Sequence, residues 1–151
     1  MTAALRRSLG PDLDAATLYA LLTLRVGVFV VEQQCPYPEL DGRDLAPGTR
    51  HFWLESGDGS VSSTVRLVEE SEDGGTAFRI GRVCTSVAER GKGHTTRLMA
   101  AALAEVGPNP CHLNAQTYLT AMYAKHGFAC SGAEFVEDGI PHVPMLRVPR
   151  P

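Results

Sequence analysis

The apolar pattern of this chain changes period across Arg90-Gly91-Lys92-Gly93-His94-Thr95-Thr96, and that change restricts what can be built around it. Upstream, Arg79 to Thr85 is rich in β-branched residues, with Val83 and Thr85 alternating with their neighbours. Downstream, Leu98, Met99, Ala102, Leu103 and Val106 recur at helical spacing. The junction reads as strand, glycine-rich turn, helix. A helix that opens from such a turn leaves several backbone N–H groups without partners. Those donors, with the positive end of the helix dipole, form a seat for phosphate. Arg90 and Lys92 add charge of matching sign, although an ordinary turn with a solvated basic pair would show the same residues.

Length and composition narrow the rest. A chain of 151 residues is expected to form one domain, residues 1–151, with a sizeable core. Hydrophobic content of 44% and charged content of 21% fit a globular protein rather than a disordered one. The net charge of -3, with no long Lys/Arg cluster, argues against nucleic acid as a partner. No apolar run is expected to span a membrane, and Leu5-Arg6-Arg7-Ser8 leads into Gly10-Pro11 rather than a signal-peptide core. Cytoplasmic residence is the expectation. Cys35, Cys84, Cys111 and Cys130 form no C-x-x-C pair, and Cys84 and Cys111 are expected to pack as small hydrophobes. Cys111, His112, His126 and Cys130 lack paired ligand spacing, so no metal site and no disulfide framework is expected.

Asp12 or Asp14 can cap a first helix with Leu18, Leu21, Leu22, Arg25, Val28 and Phe29 on one face, ending by Gln33 or Gln34 before Pro36 and Pro38. Cys35 to Gly48 is a long loop of the kind that carries function. Strands are expected at His51–Glu55, Val61–Glu69 and Phe78–Thr85, then the glycine turn and a helix to about Glu105. Cys111–Ala115 is a strand and Leu119–His126 a helix closed by Gly127. Phe128–Val136 and His142–Val148 are strands around the turn Glu137-Asp138-Gly139-Ile140-Pro141. The fold class is mixed α/β (α+β), a largely antiparallel central sheet flanked by helices, with one βαβ crossover.

This order of elements, with these junctions, resembles the GNAT superfamily of acyl-CoA-dependent N-acyltransferases from about Asp14 to Arg147. Arg90-Gly91-Lys92-Gly93-His94-Thr95 matches the family's R/Q-x-x-G-x-G/A turn, with Thr95 where Gly or Ala is usual. Met122-Tyr123-Ala124-Lys125-His126-Gly127-Phe128 looks like the family's L-Y-x-x-x-G-F signature. Gln116 stands where many members carry Asn, seven residues before the Tyr. Val28-Phe29-Val30-Val31-Glu32-Gln33, Cys35-Pro36-Tyr37, Asp41-Gly42-Arg43-Asp44 and Asp138-Gly139-Ile140-Pro141-His142 are similar to the ElaA-type branch.

The resemblance implies acyl transfer from acetyl-CoA, as cosubstrate, to a primary amine. The backbone of Val83, Cys84 and Thr85 would pair with the pantetheine arm, and Arg90, Gly91, Lys92, Gly93, His94, Thr95 and Thr96 would hold the pyrophosphate, with Gln116 nearby. Thr95 adds a Cβ to this turn, which motivates the alternative of a non-catalytic acyl-CoA-binding or sensory module. Transfer needs a neutral amine and a stabilised thiolate. Tyr123, a phenol protonated at neutral pH, is the candidate general acid, though a helix Tyr can equally be a core residue. Glu32 is the first candidate base and His142 the second. Asp41, Asp44, Glu137 and Asp138 make the acceptor loops acidic, so Glu32, Asp41 and Asp138 are expected to bind a cationic acceptor. The partner would be a small-molecule or peptide amine, without nucleic acid or membrane; a homodimer is compatible with this reading.

Overall fold

Four antiparallel strands precede the crossover, one more than the sequence pattern shows. The computed structural model describes residues 3–148, so residues 1–2 and 149–151 of the expected 1–151 domain lie outside the described residues. Strands β1 (Ala4–Leu9), β2 (Thr49–Glu55), β3 (Val61–Glu72) and β4 (Gly75–Thr85) pair in succession. Helix α1 (Ala15–Val26) leaves β1 and runs on through one π-helical stretch, Gly27–Glu32. After β4 come α2 (His94–Val106), β5 (Cys111–Gln116), the short α3 (Thr120–Ala124), β6 (Ala129–Cys130), β7 (Phe135–Glu137) and β8 (Ile140–Arg147). The sheet order is β1-β2-β3-β4-β5-β8-β6, with β7 also on β8. Among the described residues only β4 and β5 are parallel, which makes β4–α2–β5 the expected crossover.

Local chemistry explains most boundaries. The Asp14 carboxylate caps α1 by accepting from Thr17 N at 2.7 Å. The β3–β4 turn has Asp73 and Gly74 at φ 50° and 77°, and the β7–β8 turn has Asp138 and Gly139 at 51° and 79°. Two successive positive φ values match the twist of paired strands, and Asp-Gly is the sequence that reaches them cheaply. The expected strand Phe128–Val136 is split into β6 and β7. Between the pairs Cys130↔Met145 and Phe135↔His142 the first strand takes five steps where β8 takes three. Pro144 donates no N–H, and its ring lies so close to Gly132 that a Cβ there would sit 2.8 Å from it.

The two faces of the sheet are covered differently. Phe52, Leu54, Val65 and Leu67 form the apolar face, on which α2 buries Leu98, Met99, Ala102 and Val106 completely. Among the alternate residues, Thr49, His51, Thr64 and Arg66 are also buried but polar, and lie under α1 and the Cys35–Gly48 loop. Arg25, only 1% exposed, projects from α1 into this layer. It bonds Glu39 at 2.7 Å and Asp44 at 2.6 Å. Arg66 holds both oxygens of Asp41, at 2.7 and 2.9 Å, and also reaches Asp44. Arg82 pairs with Glu39 at 2.8 Å and stacks over the Tyr37 ring. His51 Nε2 donates to Asp44 O at 2.8 Å, and burial pushes its pKa down, so it stays neutral. The loop is therefore fastened by three arginines and three carboxylates.

Contrary to expectation, one helical stretch is long and apolar enough to cross a membrane: Ala15–Glu32 spans 18 residues with mean hydropathy 1.6. Here it lies on the sheet, with Leu21, Arg25 and Val28 at one buried stripe.

Removing Arg25 leaves three carboxylates to two arginines in this layer, with Arg82 the one arginine left on buried Glu39 and Arg66 the one left on buried Asp44, so Arg25→Met is expected to cost about 3–5 kcal/mol in urea unfolding. Acid should act on the same layer. Burial raises the Asp41 and Asp44 carboxyls, but their arginines outweigh it and hold both below the ordinary 3.8. The unfolded chain then takes up protons first, so the contribution is complete above about pH 5 and is lost as pH falls through 3.8 and below. The wild type should lose stability over that window more steeply than the variant.

Candidate functional site

β4 and β5 are in register only at Phe78↔Cys111 and Arg79↔His112, with Phe78 N donating to Pro110 O at 2.9 Å. From Ile80 and Leu113 onward the two strands part, while β4 stays bonded to β3 and β5 to β8 along their outer edges. A bulge exaggerates the bend: between Thr64↔Cys84 and Arg66↔Gly81, β4 takes three steps to two in β3, with Arg82 at φ 51°. The wedge opens into a cleft of about 1300 Å³. The inner edge of Val83, Cys84 and Thr85 faces it with no strand partner, a template for an extended ligand. The Cys84 thiol, buried at this wall, is pushed up to about 12 by desolvation and is not a nucleophile at neutral pH.

At one end of the cleft lies the start of α2. Gly93 caps this helix at φ 79°, and no side chain satisfies its first N–H groups. Gly91 has the same φ, and a Cβ at either glycine would meet nothing within 4 Å, so the space beside the turn is open. Open space, uncapped donors and the helix dipole together fit a diphosphate. Thr95 is seated rather than intrusive. Its Oγ1 lies 3.2 Å from Thr85 Oγ1, which lies 2.8 Å from Ser63 Oγ. His94 and Thr96 also line the cleft. The Lys92 ammonium pairs with Glu89, three residues back, which itself lines the cleft.

Glu32, Gln33, Tyr123, Asp138 and His142 also line the cleft. Tyr123 is buried, packed edge-on against Phe128 with ring centroids 6.3 Å apart, yet it borders the cleft. Burial raises its pKa, so the phenol remains a donor. No protein hydrogen bond holds its hydroxyl among the described residues. His142 stacks on Phe135 and its Nδ1 is 2.7 Å from Ile140 O. A carbonyl only accepts, so Nδ1 carries the hydrogen and the lone pair is on Nε2. Gln116 Nε2 reaches Gln33 Oε1 at 3.3 Å, joining β5 to the end of the α1 stretch.

Two expectations need correction here. Glu32 is not a free base: both of its oxygens accept from Arg90, at 2.6 and 2.7 Å, and that bonding lowers its pKa. Asp41 is not free to steer a cation: its carboxylate is taken by Arg66 and Arg82. Asp44 is likewise inside the buried layer, which leaves Glu137 and Asp138 as the unpaired acids at the cleft. The sequence reading missed the arginines that neutralise the loop. Arg25, on an otherwise apolar helix stripe, was the available signal, since a charge there requires a buried partner. Of the four Cys and His residues considered for a metal, Cys111 is in the core, Cys130 is exposed and His112 pairs with Glu72 at 2.9 Å.

Residues 26–148 match the family model described as an acetyltransferase (GNAT) domain. A UPF0039 protein of Mycobacterium tuberculosis is 66% identical over 147 residues, 97% of this chain and 94% of that protein. Protein ElaA of Escherichia coli is 39% identical over 140 residues, 90% of each chain. Among solved structures, an acyl-CoA N-acyltransferase from Pseudomonas aeruginosa superposes with a TM-score of 0.90 at 39% identity, covering 97% of this chain and 100% of its own. The crystal structure of Escherichia coli ElaA gives 0.87 at 36%, covering 96% and 99%.

The His142 geometry predicts its tautomer. ¹⁵N side-chain spectra of His142 in its neutral form should show Nδ1–H with a bare Nε2. An Nε2–H form would contradict the assignment.

Proposed function

Because the chain belongs to the GNAT acetyltransferase family, in its ElaA-type branch, we propose that it moves an acetyl group from acetyl-CoA to a primary amine. The observation that carries this reading is the pair formed by the unpaired β4 edge and the uncapped start of α2 on one cleft. An extended pantetheine arm fits the first and a pyrophosphate fits the second. Val83, Cys84 and Thr85 would bond the arm, and the N–H groups of residues 91–96 the phosphates, with the thioester delivered toward Tyr123 and His142.

The acceptor must lose a proton as its nitrogen attacks the carbonyl carbon, and sulfur must take one as the C–S bond breaks. His142 Nε2, with its lone pair available, replaces Glu32 as first choice for the proton from the amine. Tyr123 donates to the sulfur. Its raised pKa keeps the phenol protonated throughout the accessible pH range, so its hydrogen bond is available when charge develops. The acceptor is a small-molecule or peptide amine, with Glu137 and Asp138 rather than Asp41 favouring positive charge nearby. The same reading places the protein in the cytoplasm.

Free-thiol release from acetyl-CoA, measured against a panel of amines, tests the reading. Tyr123→Phe should lower kcat about a hundredfold or more while leaving acetyl-CoA Kd nearly unchanged, because the hydroxyl acts mainly in the transition state. Equal turnover by the variant would make Tyr123 a packing residue. Tight acetyl-CoA binding without turnover on any amine would favour the non-catalytic binding module.

A further inference from the structure

Each nitrogen of the Arg90 guanidinium already makes one hydrogen bond, which engages three of its five N–H donors. Nε donates to Thr85 O at 3.0 Å, while Nη1 and Nη2 donate to the two oxygens of Glu32 at 2.6 and 2.7 Å. These partners stand on different walls. Glu32 ends the helical stretch that continues α1, and Thr85 ends β4. From Thr85 the contacts continue through its hydroxyl to Thr95 in the first turn of α2 and to Ser63 on β3.

We infer that Arg90 is a positioning residue rather than a phosphate ligand: with Glu32 it clamps the acceptor-side end of the α1 stretch to the cofactor turn. This rests on the acyl-CoA reading of the cleft. The planar guanidinium meets the carboxylate as a two-toothed fork, which fixes direction as well as distance. The pair is 43% and 36% exposed, so it contributes little to stability. Its consequence is geometric. When CoA orders the turn, the clamp carries that order to residues 27–34, which shape the acceptor wall. Gln33 then passes it on to Gln116 at the end of β5. Phosphate does not need the Arg90 side chain, because the uncapped N–H groups of α2 and the glycine turn already point to its seat.

Hydrogen exchange on the full-length protein, with and without CoA, tests the clamp in the wild type, Glu32→Gln and Arg90→Lys. Both positions are on the surface, so both variants should fold. In the wild type, CoA should slow exchange in 86–96 and also in 27–34. In Glu32→Gln, CoA should bind within about threefold of wild type and protect 86–96, while protection of 27–34 is lost. Arg90→Lys should behave the same way, because lysine keeps the charge but not the fork. The opposite pattern overturns the inference. If Glu32→Gln tightens CoA roughly tenfold or more, Arg90 has been released to act as a phosphate ligand. If both variants keep full protection of 27–34, CoA orders that wall by direct contact. No CoA binding by the wild type would instead overturn the reading of the cleft itself.

Discussion

The structure turns on the parting of β4 from β5 after two paired residues. Hydrogen bonding is close to obligatory for buried backbone, so an interior strand edge without a partner is a deficit that a ligand can fill. On either side of the split, β3 holds β4 and β8 holds β5 along their outer edges. The bulge at Arg82 bends β4 further, and the same residue pairs with Glu39 beneath the acceptor loop. The β4 wall of the cleft and the Cys35–Gly48 loop thus share a fastening point.

The buried charges under α1 have a related role. Three arginines and three carboxylates in a covered layer stabilise the fold little compared with an apolar layer of equal volume, because desolvation offsets most of the attraction. They do specify one arrangement of a proline-rich loop that has few apolar anchors. Cys35 adds a second tether, with its thiol 3.2 Å from Asp138 O on the β7–β8 turn. The acceptor side is held from both flanks, and the acidity that looked available for substrate is mostly consumed in holding it.

Much of this was legible in the residues. The strand–turn–helix junction, the Asp-Gly turns, the Asp14 cap and the α2 stripe depend on local chemistry, and local chemistry is written in order along the chain. β1 was not legible. It is a largely exposed edge strand, Ala4–Leu9, with no apolar alternation, and it exists because β2 offers it a row of backbone partners. The division of Phe128–Val136 was hidden for a similar reason, since it follows from Pro144 on a strand paired from a distance. In the site, the open backbone conformation of Gly91 and Gly93 is legible in the turn itself, whereas the expectation for the β4 edge rests on the family resemblance. The roles of Glu32, Asp41 and Lys92 could not be read in this way, because each depends on which opposite charge the fold brings to it.

A crystal structure with acetyl-CoA bound tests the central claim most directly. The account predicts the pantetheine amides paired with the backbone of residues 83–85, the pyrophosphate on the N–H groups of 91–96, and the thioester sulfur within hydrogen-bond reach of the Tyr123 hydroxyl. Acetyl-CoA lying elsewhere, with the β4 edge still unpaired, would contradict it.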